Sequence, residues 1–387
     1  MDRSKWEYKK LGEVCTVVSG STPKTQIEEY WNGSHFWITP AELDGSTYVS
    51  KSERLITDLA IEKTNLTLLP IGTVLLSSRA PIGKVAITTS PMYCNQGFKN
   101  LICSPAVHNK YLYWFLKGKT DYLNSLGRGA TFKEISKTIV ENIKIPVYSL
   151  EAQQNISDEI DCLNEMIAVK QEQLKEFDKL AQSIFYDMFG RGMSQQKWEQ
   201  ITIGEIAEEI KYGTSSPATP NGRYKYLRMN NMTNDGYLDL SDLKYIDVDA
   251  DNYEKYVVRR GDVLFNRTNS RELVGKTALF DFDEEMIIAG YIIRVRLKSL
   301  ANPCFVVRYM NLPEQKDYLR GLCRGAIGQA NINAKELQAI PIPLPPLSLQ
   351  KQFAEKISAI EAQKELVKQS IAETQHLLDY TMDKYFG

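Results

Sequence analysis

The sequence of 387 residues is short of the residues that build metal sites. Its three histidines, His35, His108 and His376, lie far apart. Its six cysteines, Cys15, Cys94, Cys103, Cys162, Cys304 and Cys323, include no CxxC pair. A structural zinc site wants paired ligands at short spacing, so no metal is expected. The cysteines read as reduced and mostly buried. No stretch approaches the ~18 apolar residues of a membrane span. The opening MDRSKWEYKK lacks the apolar core of a secretion signal. The expectation is a cytoplasmic protein with no membrane partner.

Catalytic signatures are also missing. There is no GxxxxGK[ST] phosphate loop, because Gly83-Lys84 and Gly275-Lys276 both lack the upstream glycine. No G-x-G-x-x-G follows a strand, and no Asn-Pro-Pro-Tyr/Phe of an amino-methyltransferase occurs. The histidines sit in no recognisable nucleophile context, although sequence alone leaves a dispersed triad open. The expectation is a non-enzyme that binds no cofactor itself. The net charge of −1, from 47 basic and 48 acidic residues, excludes a uniformly basic nucleic-acid binder. With 43 % apolar and 25 % charged residues, the chain is an ordinary globular one of two or three domains.

What is present is a repeat. Shifted by 197 residues, segment 143–190 falls on 340–387 with 10 identities in 48 positions, against roughly 3 by chance. The segments KWEYKKLGEV (5–14) and KWEQITIGEI (197–206) also match, at a shift of 192. Between them the register drifts. Gly72 pairs with Gly261, Gly83-Lys84 with Gly275-Lys276, Gly97 with Gly290, and Arg128-Gly129-Ala130 with Arg324-Gly325-Ala326. The chain reads as a duplicated globular unit, each copy followed by a long helix.

Each copy ends in a proline signal, IKIPVYSL or IPIPLPPLSL, after which neither proline nor glycine occurs until Gly190 or Gly387. The first helix carries Ile156, Ile160, Leu163, Ile167, Lys170, Leu174, Phe177, Ala181, Ile184 and Met188 at 4-3 spacing. That is a coiled-coil seam with one polar break. The second seam, Phe353, Ile357, Ile360, Lys364, Val367, Ile371, Thr374, Leu378, Thr381 and Tyr385, is weaker but in the same register. If the second unit is compact, the helices run antiparallel as a spacer of roughly 55 Å.

Charge is segregated. Residues 1–146 carry 18 basic and 13 acidic residues, and helix 147–190 carries 3 and 9. Residues 191–345 carry 21 and 20, and 346–387 carry 5 and 6. Positive charge belongs to the globular units and negative charge to the first helix; a DNA backbone would attract the former and repel the latter, although a charged helix face is usually just a solvated one. Twelve basic residues of the second unit are arginine, the side chain suited to bidentate guanine and phosphate contacts.

The globular units mix short β-like runs (TVLLSS, KVAIT, DVLFN, YIIRVRL) with turns and a few helical stretches, an α/β (α+β) reading. Candidate recognition loops are SGSTPK (19–24), WITP (37–40), SSRAPIGK (77–84) and GRGATFK (127–133) in the first unit. The second offers YGTSS (212–216), YLRMNNMTN (226–234), FNRTNSREL (265–273) and CRGAIGQANIN (323–333). Their Asn, Gln, Arg, Ser and Thr are the types that read base edges. The same residues make ordinary turns, so each loop stays open between the two readings. The candidate DNA contacts are Ser21, Thr22, Lys24, Ser78, Arg79, Lys84 and Arg128 in the first unit. In the second they are Thr214, Ser215, Arg228, Asn230, Asn231, Arg267, Asn269 and Arg324.

KLGEV…SGSTP, YWNG…FWITPAEL, SSRAPIGK and the paired helix starts Leu150-x-x-Gln153 and Leu347-x-x-Gln350 resemble the specificity subunit of type I restriction–modification systems. So does the layout over nearly the whole chain. The family's first loop often reads Gly-Gly-Thr-Pro; here it is Gly20-Ser21-Thr22-Pro23, and the second unit departs further with Gly213-Thr214-Ser215-Ser216, and with Asn266-Arg267-Thr268 where the first has Ser78-Arg79-Ala80. The resemblance implies target recognition domains at 1–149 and 191–346 and antiparallel spacer helices at 150–190 and 347–387. Each domain would read half of a bipartite asymmetric site in double-stranded DNA. The helices would set the gap and dock two modification (methyltransferase) subunits, with Gln153, Gln350, Phe189 and Phe386 as partner contacts. Motor/endonuclease subunits would complete the complex, and S-adenosylmethionine, ATP and Mg²⁺ would belong to the partners. Half-sites on one face of B-DNA recur about every 34 Å, a span such a spacer could serve. The rival expectations are a coiled-coil interaction scaffold that reads no DNA and an enzyme with an unrecognised active site, for instance a nuclease.

Overall fold

The computed structural model describes residues 7–128, 133–191, 198–270, 273–323 and 330–387. It forms two compact units, Met1–Gln171 with Lys368–Gly387, and Glu172–Val367. Each long helix therefore begins in one unit and ends in the other.

In the first unit, strand Tyr8–Lys10 pairs antiparallel with Lys144–Pro146 just before the long helix. The main sheet runs in the order Cys15–Ser19, Lys99–Cys103, Val74–Ser78, Ile82–Thr88, Tyr48–Val49. Alternation decides what each face meets. Val74, Leu76, Val85 and Ile87 join the core built with helix Asn109–Lys117, whereas Leu75 and Ala86 face a second core with Ile38, Met92 and Phe98. Both faces are covered, so these strands read as continuous apolar runs. A smaller sheet holds Arg54–Ile56, Trp31–Ile38 and, parallel to it, Tyr93–Cys94.

The second unit repeats the plan. Its main sheet runs Ala207–Tyr212, Ile292–Leu297, Val263–Asn266, Thr277–Leu279. Val263 and Phe265 pack with helix Pro303–Met310, and Leu264 and Ala278 pack in the other core. The smaller sheet again contains a parallel pair, Tyr224–Leu227 with Met286–Ile288. Gln200–Thr202 pairs with Pro341–Pro343 before the second long helix.

The strand pairing corrects one alignment made from sequence. Arg267 does not match Arg79. Ser78 O accepts from Ile135 N (3.0 Å) and Arg267 O accepts from Ile332 N (2.9 Å), at the same place in the two folds. Arg79 bridges Glu134, and Thr268 pairs with Asn331. Ser78 is thus the counterpart of Arg267, and Arg79 that of Thr268. One residue along a strand reverses the face, so the two arginines occupy different environments.

The long helices span Leu150–Phe189 and Leu347–Phe386, 40 residues each, or about 60 Å of helix. In the first unit Lys170 Nζ donates to Ser370 Oγ (2.8 Å) and Thr374 Oγ1 (2.9 Å), while Tyr385 OH donates to Glu159 (3.0 Å). Rising numbers on one helix meet falling numbers on the other, so the pair is antiparallel. The second unit shows the same sense, with Asp178 beside Lys364 and Phe185 beside Phe353. No residue of the two seams is exposed. Towards the end of the first helix the buried face moves on, so that Phe185 and Phe189 are buried while Ile184 and Met188 are half-buried. A straight helix drifts against a 3.5-residue repeat, and here it turns its aromatic edge to Phe305 and Phe353.

Candidate nucleic-acid interface

In each unit the first loop leaves the sheet through a glycine pressed against backbone. A Cβ on Gly20 would lie 1.8 Å from Asn95 O, and one on Gly213 would lie 2.2 Å from Ile288 O. Only glycine permits this approach. The next residue is then held in place, with Ser21 N donating to Cys94 O and Thr214 N to Ile288 O, both at 2.9 Å.

In the first unit this loop lies beside an aromatic platform. Trp37 Nε1 donates to Ser21 O (3.0 Å), and Trp31 and Trp37 meet edge to face at 5.1 Å. The Arg54 guanidinium stacks 3.6 Å from the Trp31 ring centre. Thr22 is bonded to Gln96, and Lys24 is exposed. Arg54, Trp31 and Trp37 were not among the residues chosen from sequence. Trp37 lies in the WITP loop, but only the fold stacks an arginine on the tryptophan pair.

Arg79 is half-buried and Arg128 is exposed; their backbones both bridge Glu134. Two assignments change. Ser78 is buried, with its hydroxyl donating to Gly97 O (3.0 Å), so it offers no surface to DNA. Lys84 Nζ donates to Leu43 O (2.6 Å) and Pro40 O (3.2 Å), ties that brace a loop. Lys276 does the same to Met232 O (3.0 Å), and burial holds its pKa down.

The second unit gathers more of its predicted residues. Thr214, Ser215, Arg228, Asn230 and Arg267 line one groove of about 520 Å³, together with Tyr226, Gly290 and Tyr291. Tyr226 OH supports the floor by bonding Thr214 O and Ser216 O, both at 3.1 Å. Burial pushes its pKa up, so it remains a donor. Asn230 and Ser215 are exposed at the rim. Tyr291, 51 % exposed at this groove, was missed from sequence. Asn231, by contrast, is buried, with its amide donating to Asp239 O (2.9 Å) and Asp242 O (3.1 Å) as a loop brace. Thr214 is nearly buried, and its hydroxyl donates to Ser216 Oγ (3.1 Å). Asn269 lies outside the groove lining and accepts from Ser270 N (2.8 Å). Arg324 and residues 129–132 lie outside the described residues.

The arginine count overstates the charge available to DNA. Arg228, Arg259, Arg260, Arg294, Arg296, Arg308 and Arg320 each meet a carboxylate. Arg294 is fully buried, which holds its pKa down, aided by neighbouring Arg296 and opposed by Glu209.

The four residues assigned to partner docking are also corrected. Gln153 Oε1 accepts from His108 N (2.8 Å) and its amide donates to Ala106 O and Tyr148 O. Gln350 Oε1 accepts from Asn302 N (2.8 Å) and its amide donates to Pro345 O and Leu300 O. Both are completely buried, and Phe189 and Phe386 are buried in the cores of their own units. Each glutamine locks the start of a long helix to its globular unit.

Among the described residues, no group of three or more His, Cys, Asp or Glu is placed to hold a metal, and no helix is long and apolar enough to cross a membrane. Two strand-rich units of one plan, each locked to a long helix and presenting a polar surface, define a duplicated recognition protein. The chain belongs to the family of the type I restriction modification DNA specificity domain, whose model matches residues 3–178 and 195–376.

It is 40 % identical over 212 residues to the type I restriction enzyme MjaIX specificity subunit of Methanocaldococcus jannaschii, a match covering 54 % of this chain and 49 % of that relative. It is 20 % identical over 391 residues to the EcoKI specificity subunit of Escherichia coli, covering 95 % and 84 %. The fold matches the type I restriction–modification S subunit from M. genitalium with a TM-score of 0.57 at 13 % identity, over 100 % and 97 % of the two chains. It also matches a chain from work on complex assembly and conformational transition of the type I R-M system, with a TM-score of 0.64 at 19 % identity, over 98 % and 97 %.

Proposed function

We propose that this chain is the DNA-recognition subunit of a type I restriction–modification complex. Each globular unit reads one half of a bipartite, asymmetric site in double-stranded DNA. The antiparallel helices set the gap between the halves and dock two methyltransferase subunits, with motor/endonuclease subunits completing the assembly in the cytoplasm. S-adenosylmethionine, ATP and Mg²⁺ act in those partners, and this chain supplies no catalytic step.

The observation that carries this reading is the double use of one design: a glycine-anchored loop beside a sheet, in a unit locked by Gln153 or Gln350 to a long helix. Two similar units with different loop residues suit two different half-sites. Two similar helix starts suit two copies of one partner. Partner docking moves from the buried residues to exposed apolar ones on the helices, among them Val169, Leu366 and Tyr380.

Expression with the methyltransferase encoded beside it, in a host free of methylation, tests the reading by mapping modified adenines. The expected result is a split motif with a fixed gap. A one-part motif would refute the two-reader geometry. No motif with a demonstrably active partner would refute DNA reading.

A further inference from the structure

The proposal concerns Arg267 and rests on the DNA-reading function just given. Its side chain is clamped before any ligand arrives. Nε donates to Gly290 O (2.9 Å) and Nη1 to Asn331 Oδ1 (3.0 Å), and the guanidinium lies 5.1 Å from the Tyr212 ring centre. Tyr212 is itself held, its hydroxyl accepting from Ala334 N (2.7 Å). The backbone is fixed on both sides, by Arg267 N to Tyr291 O (3.0 Å) and Ile332 N to Arg267 O (2.9 Å). Guanidinium has five N–H donors in a planar fork. Two are used here, which leaves donors on both Nη1 and Nη2 for an end-on pair of hydrogen bonds.

The charge is unspent as well. The other cation lining the groove, Arg228, is paired with Asp242 (2.9 Å). Arg267 has no carboxylate partner among the described residues, and all its clamps are neutral. The duplicated unit provides the internal comparison. There the counterpart of Arg267 is Ser78, and the counterpart of Asn331 is Glu134. Lys99 Nζ fills the spot, 3.1 Å from Glu134 and 3.3 Å from Ser78 Oγ. The first unit neutralises this position internally. The second keeps a rigid, uncompensated fork at the edge of a groove.

We propose that Arg267 is a specificity-determining residue of the second unit and reads a guanine through its O6 and N7 atoms, so that this half-site carries an obligatory G·C pair. A held planar fork matches that base edge best among the four pairs. Pre-organisation removes part of the ordering cost. A phosphate can take the same fork, but it would leave binding indifferent to the base, which the test reads; Arg267 shares its groove with Asn230 and Tyr291.

The test uses the wild-type chain in complex with its methyltransferase and duplexes bearing the mapped motif. 7-Deazaguanine, which lacks the N7 acceptor, replaces each guanine of the second half-site in turn. The expected result is about a tenfold or greater loss of affinity at one position. The Arg267→Ala complex should be weaker on the natural site and indifferent to that replacement. A split motif whose second half lacks G·C, or no position with such a loss, overturns the assignment while leaving the function intact. So does an Arg267→Ala complex that still responds to the replacement, or that weakens equally on all sequences with a shallower salt dependence. Absence of any split motif would instead count against the function itself.

Discussion

Gln153 and Gln350 are the same residue in two places: each accepts one backbone N–H and donates to two backbone carbonyls at the start of a long helix. Leucine at either site would strand three backbone groups against a buried side chain, although one at each site, Ala106 O or Leu300 O, belongs to an exposed residue. At about 1–3 kcal/mol for each unsatisfied group, moderated by relaxation, Gln153→Leu or Gln350→Leu should cost roughly 2–4 kcal/mol. Urea unfolding of the full chain measures it. A loss below about 0.5 kcal/mol would contradict the lock.

The two partners of the Lys364–Asp178 pair (2.6 Å) should respond unequally. Lys364 is almost buried and Asp178 is 44 % exposed. Asp178→Ala leaves an almost buried ammonium with Tyr237 OH (2.9 Å) and only the longer Glu361 contact (3.7 Å), whereas Lys364→Met leaves a carboxylate that water can reach. A buried charge without its partner is the costlier outcome. Asp178→Ala is expected to lower the unfolding midpoint more than Lys364→Met; the reverse order would show that the pair is not desolvated.

Lys316 predicts a pH dependence. Its Nζ donates to Gly275 O (2.7 Å), and burial, reinforced by Lys276 and Arg320, holds its pKa down to about 7. Between pH 7 and 10.5 the unfolded chain therefore binds more protons than the folded one, so stability rises with pH across that window. Below about pH 7 the full cost of charging the buried amine is present. Wild type should gain stability from pH 7 to 9 relative to Lys316→Met, measured by urea titration at each pH. Parallel profiles would refute it.

Gly213→Ala tests the loop anchor. Its added methyl would press on Ile288 O and Ala289 O, and overpacking of this kind costs about 1–3 kcal/mol. Because Thr214 and Ser215 follow directly, modification at the second half-site should fall further than the melting temperature implies. Unchanged stability and motif would show that the loop yields freely.

The helices were legible because a 4-3 repeat is a local property, written within ten residues at a time. Every seam position lies on a covered face. The repeat was equally legible, and it led correctly to two units of one plan. Three things were not. Gln153 and Gln350 stood out as a shared pair, but sequence does not say whether a shared glutamine faces inward. The Arg79–Arg267 alignment failed by one residue, because the register of short strands is set by partners such as Glu134 and Asn331 that lie over 50 residues away. The twelve arginines of the second unit read as a composition suited to DNA, while Arg259, Arg260 and Arg296, none of them a named contact, are occupied by carboxylates brought in by folding.

Tyr237 closes the segment that begins at the groove with Arg228. Its hydroxyl meets Glu361 (2.5 Å), Lys364 (2.9 Å) and Arg308 (2.7 Å) at the helix pair. The portable cassette of the second unit is therefore not the stretch between the two long helices. A chimera spliced at the prolines before Leu347 would import Tyr237 and Arg308 but leave Asp178, Glu361 and Lys364 to the host. Such a graft should work only in hosts that already supply those three side chains, or when the junctions are moved inside the helices to carry them along.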